Sequence, residues 1–352
     1  MSTAQSSLFE NGDALASVTP LSELINGQEA DFFALLSAKE ELTTRDGKPY
    51  YRVTFRDAQR EVSFPIWNDT SWSVVCREQW AVGEFYKLRA LYRETNYGPQ
   101  LEIRKIRSVI DADANDGFTP GMCLPASRFD PQEMYDELIA ISKDGIDDPE
   151  LSTFVQAILE QYQETLLSLP AAKYHHHAHL GGFLEHVLNV ARSCVYFADK
   201  YADLYCDMQP PLDKGLVIAG GILHDIGKVR ELTTTPAGAE YTPSGTLIGH
   251  ILQGRDIVRE TALNYPLDAE KLLRLEHIIV SHQRLAEWGS PKPPMTPEAF
   301  IVHHADDLDA KLHMMVCAIE DDAEGPFTSK RNPLREKIYR GGGLGEPSAG
   351  EP

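Results

Sequence analysis

Histidine is absent from the first 170 residues of this 352-residue chain, and all 12 histidines fall after that point. Cysteine is scarce: Cys76, Cys123, Cys194, Cys206 and Cys317 are odd in number and form no CxxC pair. That argues against a disulfide framework and a thiolate zinc site, and it points to a reducing, cytoplasmic compartment. No run of about 18 apolar residues occurs, and no charged-then-apolar leader opens the chain, so neither a membrane span nor a signal peptide is expected. Positive charge is in short supply as well, with 33 Lys and Arg against 53 Asp and Glu, a net of −20 that by itself disfavours polyanionic partners. Hydrophobic residues make up 42% of the chain, which excludes global disorder, and the length suits two domains.

The charge is unevenly spread. Residues 45–110 carry 12 Lys and Arg against 8 Asp and Glu, a net of +4, so the remainder carries −24. The same stretch alternates with period two. Asp31–Thr44, Tyr50–Asp57, Glu61–Trp67, Glu84–Arg93 and Gln100–Ile110 are expected strands, with a short helix over Ser71–Trp80. Five strands with a helix between the third and fourth match the order of an OB-fold barrel. Tyr51, Val53, Phe55, Val62, Phe64 and Ile66 fall on the core side. Tyr50, Arg52, Arg56 and Trp67 fall on the opposite side, and Lys87 and Arg89 share one face of the fourth strand. Exposed rings among cations suit single-stranded nucleic acid, since rings stack on bases and cations meet phosphates. These six residues are the expected RNA contacts.

From Asp130-Pro131, an Asp cap with Pro at the first helical position, the pattern turns helical. Helices are expected over 131–143, 149–168, 182–206, 213–225, 245–263, 268–282 and 296–320, with no strand signal of comparable strength. The resulting organisation is a multidomain β plus all-α chain. Residues 1–17 read as a flexible tail, 18–112 as the nucleic-acid-binding barrel, 113–130 as an acidic linker, 131–321 as the helical domain and 322–352 as a second flexible tail.

Within the helical domain, His224-Asp225 ends the apolar run Leu216–Leu223. Burying two adjacent ionisable groups is costly unless a metal or partner compensates them, and imidazole with carboxylate suits a divalent transition metal. Lys228, three residues on, is placed to hold a phosphate beside such a site. His186, His250 and His282 each sit in an apolar helical stretch, and Asp306 follows in Ala305-Asp306-Asp307-Leu308-Asp309. Helices of a bundle converge inward side chains of this kind on one metal cluster.

The order His186, His224-Asp225, Asp306 resembles the H…HD…D signature of HD-domain metal-dependent phosphohydrolases. The local wording is more specific. His176-His177-Ala178 with Gly181–His186, Leu223–Lys228, Gly249-His250, Gly289-Ser290-Pro291-Lys292 and Ala305–Lys311 resemble the YhaM family of bacterial 3′→5′ exoribonucleases. That family pairs an N-terminal OB-fold with a C-terminal HD domain, and the likeness spans roughly residues 20–320. It implies a metal held by His186, His224, Asp225 and Asp306, a second held by His250 and His282 with Asp225 bridging, and manganese as the ion. It further implies hydrolysis of single-stranded RNA to nucleoside 5′-monophosphates, with Asp225 and Lys228 at the reaction centre. The ligands must be neutral His and ionised Asp, so activity is expected to fall in acid.

Single-stranded DNA as a substrate and a homo-oligomer both stay open at this stage. So do two other functions: a phosphodiesterase of a cyclic or signalling nucleotide, and a nucleic-acid-binding scaffold with an inactive HD site. Against the first, the Trp288–Pro291 segment lacks a Gly-Tyr-Pro motif; against the second stands the intact ligand set. His277 reads as structural, His303 and Asp309 as supports for ligands, and Glu185 as a weaker candidate for holding a ligand or substrate. Gln283, His175 and His179 depart from the family pattern.

Overall fold

The structure, a computed structural model, describes residues 18–44, 46–96, 98–124, 127–171, 180–235, 238–321 and 325–341. Two compact units divide between Ala126 and Ser127, with the short segment Thr235–Gly238 grouped with the first.

In the first unit the two-residue alternation becomes five strands: β1 (Glu29–Thr43), β2 (Pro49–Arg56), β3 (Glu61–Trp67), β4 (Phe85–Thr95) and β5 (Gly98–Ser108), with α1 (Trp72–Gln79) between β3 and β4. All pairings are antiparallel, in the order β3-β2-β1-β4-β5. On β3 the pattern is clean: Val62, Phe64 and Ile66 are buried while Glu61, Ser63 and Trp67 face out. Phe55 anchors the core, meeting Trp80 edge-on at 5.7 Å and Tyr86 at 6.0 Å between ring centroids. The architecture is that of an OB-fold, but the expected barrel is not closed. Among the described residues no ladder joins β3 to β5. The Trp72 indole at the start of α1 instead donates to the Ile103 carbonyl of β5 at 3.1 Å.

The acidic stretch after β5 departs from its reading as linker. Asp111–Asp116 is a 3-10 turn, and Asp113 is buried within it. Its carboxylate takes both arms of the Arg107 guanidinium at 2.6 Å and the Ile110 N–H at 2.9 Å. Residues 111–116 are thus part of the first unit, pinned by the cations they neutralise.

The second unit is built on capped helices: α2 (Pro131–Asp144), α3 (Pro149–Gln161), α4 (Gln163–Leu166), α5 (Gly182–Leu204), α6 (Lys214–Leu223), α7 (Lys228–Glu231), α8 (Pro243–Ile248), α9 (His250–Thr261), α10 (Ala269–Ser281) and α11 (Pro297–Asp321). Asp130, Asp148, Asp213, Thr242 and Asp268 each accept backbone N–H groups of the following first turn, offsetting the orphan donors every helix start exposes. Helix α6 runs through the centre, with every residue from Leu216 to Leu223 buried. Its two glycines admit close neighbours: a Cβ at Gly220 would lie 2.7 Å from Ile278 of α10, and one at Gly221 would lie 2.7 Å from Cys194 of α5. Glu298, in the first turn of α11, is buried and accepts from Arg274 of α10 at 2.6 Å and from the Asp213 N–H at 3.1 Å. That bond set fixes α11 against the start of α6.

Three features differ from the sequence expectations. A hairpin, β6 (Leu232–Thr235) and β7 (Gly238–Tyr241), follows α7; four residues per strand are too few to show a period. The expected helix over 245–263 breaks at Gly249, whose φ of 79° starts a new helix at His250. Residues 325–341, read as flexible tail, form a closed loop in which Phe327 bridges to Tyr339. The remainder of both expected tails, residues 1–17, 322–324 and 342–352, lies outside the described residues, as do His175–His179.

Candidate functional site

Helix α6 ends at Leu223, so His224 and Asp225 emerge at the buried tip of the central helix. His186 comes from α5, His250 from the first residue of α9, His282 from the end of α10 and Asp306 from α11. All six expected ligands converge there. His186 Nε2 lies 3.3 Å from His224 Nε2 and 3.3 Å from Asp306 Oδ1. Asp225 divides its two oxygens. Oδ2 faces His224 at 3.5 Å and His186 at 3.7 Å, while Oδ1 faces His250 at 3.2 Å and His282 at 3.4 Å. The donor atoms of His186, His224 and Asp225 lie within 4.8 Å of one another, as do those of Asp225, His250 and His282.

The tautomers follow from the outer partners. His224 Nδ1 lies 2.9 Å from the Gly221 carbonyl and His282 Nδ1 2.7 Å from the Ile279 carbonyl. A carbonyl only accepts, so Nδ1 carries the proton and Nε2 keeps its lone pair. His186 Nδ1 meets Asp309 Oδ2 at 2.7 Å, and His250 Nδ1 meets Glu231 Oε1 at 3.1 Å. Carboxylate and carbonyl partners of this kind orient metal-ligating histidines and raise their basicity. Asp225 Oδ1 and His282 Nε2 are buried without a hydrogen-bond partner. Orphaned buried acceptors are costly, and two of them aimed at one point fit a divalent cation. No thiol belongs to either ligand group.

Glu231 was not singled out from the sequence. It accepts from both the backbone N–H and Nδ1 of His250, a pairing made by the turn of α7 rather than by any motif spacing. Asp309, expected as a support, holds His186. His303 donates from Nδ1 to the His282 carbonyl at 2.6 Å, and His277 accepts from the Met295 N–H at 2.9 Å outside the cluster. Glu185 accepts from Ser127 at 2.7 Å. The Gln283 amide stands 3.3 Å from His250 Nε2. A Cβ on Gly227 would lie 1.9 Å from the His250 carbonyl, so only glycine lets the turn after Asp225 pass against α9. Lys228 is buried, and its ammonium bonds Asp225 Oδ2 at 2.6 Å.

The electrostatics are uneven. Burial works to raise the Asp225 and Asp306 carboxyls, but Lys228 and the histidines around Asp225, and His186 and His224 beside Asp306, hold both well below the usual range. Burial pushes His224 down to about 4. It works the same way on His186, yet the carboxylates of Asp306 and Asp309 overcome it and push that imidazole up to about 9. These shifts make the stability of the metal-free protein depend on pH. A raised His186 contributes stability that is complete below its unfolded pKa of about 6.5 and is lost as pH rises through about 9. A depressed His224 acts in the opposite sense, taking stability away as pH falls from about 6.5 toward 4. Chelated protein is therefore expected to melt highest near neutrality and lower on both sides. A melting temperature flat from neutral pH to pH 9 would contradict the His186 assignment.

The expected RNA contacts separate into two groups. On β2 and β3 Tyr50 pairs across the strands with Trp67, their rings 4.9 Å apart and Trp67 47% exposed. Trp67 also lines a cleft of about 440 Å³ with Lys48 and Asn68. Arg52 is exposed and Arg56 half-buried. Lys87 and Arg89 are instead engaged. Buried Lys87 bonds Asp116 at 2.6 Å, and Arg89 makes a two-armed pair with Asp31 at 2.6 and 2.8 Å. Loop 111–116 folds over the face that strand periodicity left open to solvent.

A model of the HD domain family matches residues 183–311, which takes in all six expected ligands. A second family model, described as a helicase, matches residues 130–235. A protein of Listeria monocytogenes named 3′-5′ exoribonuclease YhaM is 32% identical over 304 residues, covering 86% of this chain and 92% of that protein. The proteins of the same name from Bacillus pumilus and Bacillus licheniformis are 32% and 31% identical, each covering 89% of this chain and 95% of its relative. Among solved structures, the second OB-fold domain of replication protein A from Methanococcus maripaludis aligns with 26% of the chain at 16% identity and a TM-score of 0.20. No helix among the described residues is long and apolar enough to cross a membrane. With this identity running through both units and the six expected ligands drawn together at the tip of α6, the chain belongs to the YhaM family of HD-domain enzymes.

Proposed function

We propose that this protein is a cytoplasmic, metal-dependent 3′→5′ exoribonuclease that hydrolyses single-stranded RNA to nucleoside 5′-monophosphates. The observation that carries the reading is Asp225, which offers one oxygen to His186 and His224 and the other to His250 and His282. That division suits two divalent ions sharing a bridging carboxylate, with manganese as the ion the family implies. Held there, such ions would supply polarisation of the scissile phosphate and activation of the attacking water. The protein's own part is to hold four Nε2 lone pairs on target through their Nδ1 partners and to keep Asp225 and Asp306 ionised. Lys228 neutralises a non-bridging phosphate oxygen as charge builds there. His250, Asp306 and Asp309 keep 14–15% of their side chains accessible, and mark the side from which substrate arrives. Tyr50 and Trp67 supply a stacking surface for bases, with Arg52 and Arg56 nearby for phosphates.

The test is a time course with manganese on 5′-labelled single-stranded RNA bearing a free or blocked 3′ end. A ladder shortening from the free 3′ end, with 5′-mononucleotide product, is expected; intact RNA overturns the reading. The two-ion arrangement carries its own prediction. Glu231→Ala removes the acceptor for both the N–H and Nδ1 of His250. Loss of such an outer partner typically lowers metal affinity by about 10–100-fold. Titration should then show one weakened ion and one of wild-type affinity; two equally weakened ions, or none, would contradict the split ligand set.

A further inference from the structure

The loop at residues 325–341 carries five Lys and Arg and one Glu, a net of +4 in a chain of net −20. It is tied shut rather than trailing. Thr328 N–H donates to the Ile338 carbonyl and Arg340 N–H to the Pro326 carbonyl, each at 2.9 Å. The buried Thr328 hydroxyl accepts from Ile338 N–H at 3.0 Å. Inside this closure the Asn332 amide donates to the carbonyls of Ser329 and Glu336, both at 2.8 Å. Lys330, Arg331, Arg335 and Lys337 are all exposed, and among the described residues none of the four has an ion-pair partner. Five cations of β4 and β5 are placed differently. Lys87, Arg89, Arg93, Arg104 and Arg107 on β4 and β5 all meet carboxylates. Four unpaired like charges held on one small closed loop repel one another, and in so acidic a chain their persistence asks for an anion from outside. At the neck of the loop stand Phe327 and Tyr339, each 50% exposed, their rings 5.1 Å apart and tilted by 50°.

We infer that the loop 325–341 is a second binding site for single-stranded RNA, in which Lys330, Arg331, Arg335 and Lys337 meet phosphates and Phe327 and Tyr339 stack on a base. The inference rests on the exoribonuclease reading for the identity of the polyanion. Rings alongside cations favour a single strand over a lipid surface, because a base has a π-face to stack and a headgroup has none.

The test uses the full chain held in chelator, so that RNA is bound but not cut, and reads the anisotropy of a 5′-fluorescein single-stranded RNA across a salt series. In the variant Lys330→Gln/Arg331→Gln/Arg335→Gln/Lys337→Gln, affinity at low salt should fall by more than about tenfold. The slope of log K against log salt should shrink by about 0.7 for each phosphate the loop no longer neutralises. Tyr339→Ala should weaken binding by about fivefold or more with the slope unchanged. Both variants should hydrolyse a small aryl phosphodiester with manganese at the wild-type rate, which shows an intact HD unit. Wild-type affinity and slope in the fourfold variant, while Trp67→Ala still weakens binding, overturns the loop site and leaves the exoribonuclease reading standing. A fourfold variant that loses only its hold on phosphatidylglycerol vesicles overturns it too. No RNA binding by the wild type overturns both.

Discussion

Asp225→Asn should abolish RNA hydrolysis while leaving RNA binding in chelator unchanged. The substitution is nearly isosteric, so the fold around α6 loses little packing. It weakens the buried pair with Lys228, and its larger effect is chemical. One carboxylate serves both ligand groups, with Oδ2 between His224 and His186 and Oδ1 between His250 and His282. An amide offers one weak, neutral oxygen ligand and an NH₂ that repels a cation, so both groups lose the negative charge and one of them also loses its oxygen donor, whichever way the side chain turns. Metal assistance supplies several kcal/mol of transition-state stabilisation, and about 4 kcal/mol corresponds to a loss of roughly 10³-fold in rate. Metal content should fall as well, which metal analysis of the purified variant reads directly. RNA affinity in chelator tests the separate origin of binding, since Tyr50 and Trp67 belong to the other unit. Activity within about tenfold of wild type would remove Asp225 from the reaction centre.

The expected metal ligands were legible in the sequence because His186, His224, Asp225, His250 and His282 are ionisable side chains in or at the end of apolar stretches, while Asp306, set among His and Asp, entered through the order of the motif. Their order along the chain then had one economical explanation. The partners of the ligands were less legible. Glu231 reaches His250 only because α7 lasts four residues before the hairpin turns away, and no period announces so short an element. Strand alternation put Lys87 and Arg89 on the right face of β4 but said nothing of what covers that face. The acidic residues 111–116, whose composition reads as linker, proved to be the counter-charge for Lys87 and Arg107. Composition likewise hid the loop at 325–341, where glycine, proline and charge look the same whether the chain is closed by hydrogen bonds or free.

Lys228 presents the sharper conflict between sequence and geometry. Its spacing from Asp225 suggested a cation free to meet phosphate, yet the structure seats its ammonium on Asp225 Oδ2 at 2.6 Å in a buried position. Burial opposes its charge, but Asp225 prevails and the Lys228 pKa is raised. Two roles follow, and Lys228→Met separates them. In chelated protein the variant leaves Asp225 buried with its principal cation gone. Breaking a buried pair in this way costs about 3–5 kcal/mol, so the chelated variant should melt far below the chelated wild type at neutral pH. Bound divalent ions offset that loss by supplying the missing positive charge, and the gap in melting temperature should narrow when metal is restored. Activity at saturating metal then reads the second role. If the ammonium swings from Asp225 onto a non-bridging phosphate oxygen as negative charge develops, its removal should lower kcat by about 10²–10³-fold, as for other donors aimed at a developing oxyanion. If it only braces Asp225, kcat should recover with metal while the chelated protein stays weak. The short distance to Asp225 does not prevent the first role, because ions held by Asp225 would compete with Lys228 for the same carboxylate oxygen and free the ammonium for phosphate. A full recovery of kcat would reassign Lys228 as a positioning residue for Asp225 and leave the transition-state charge to the ions alone.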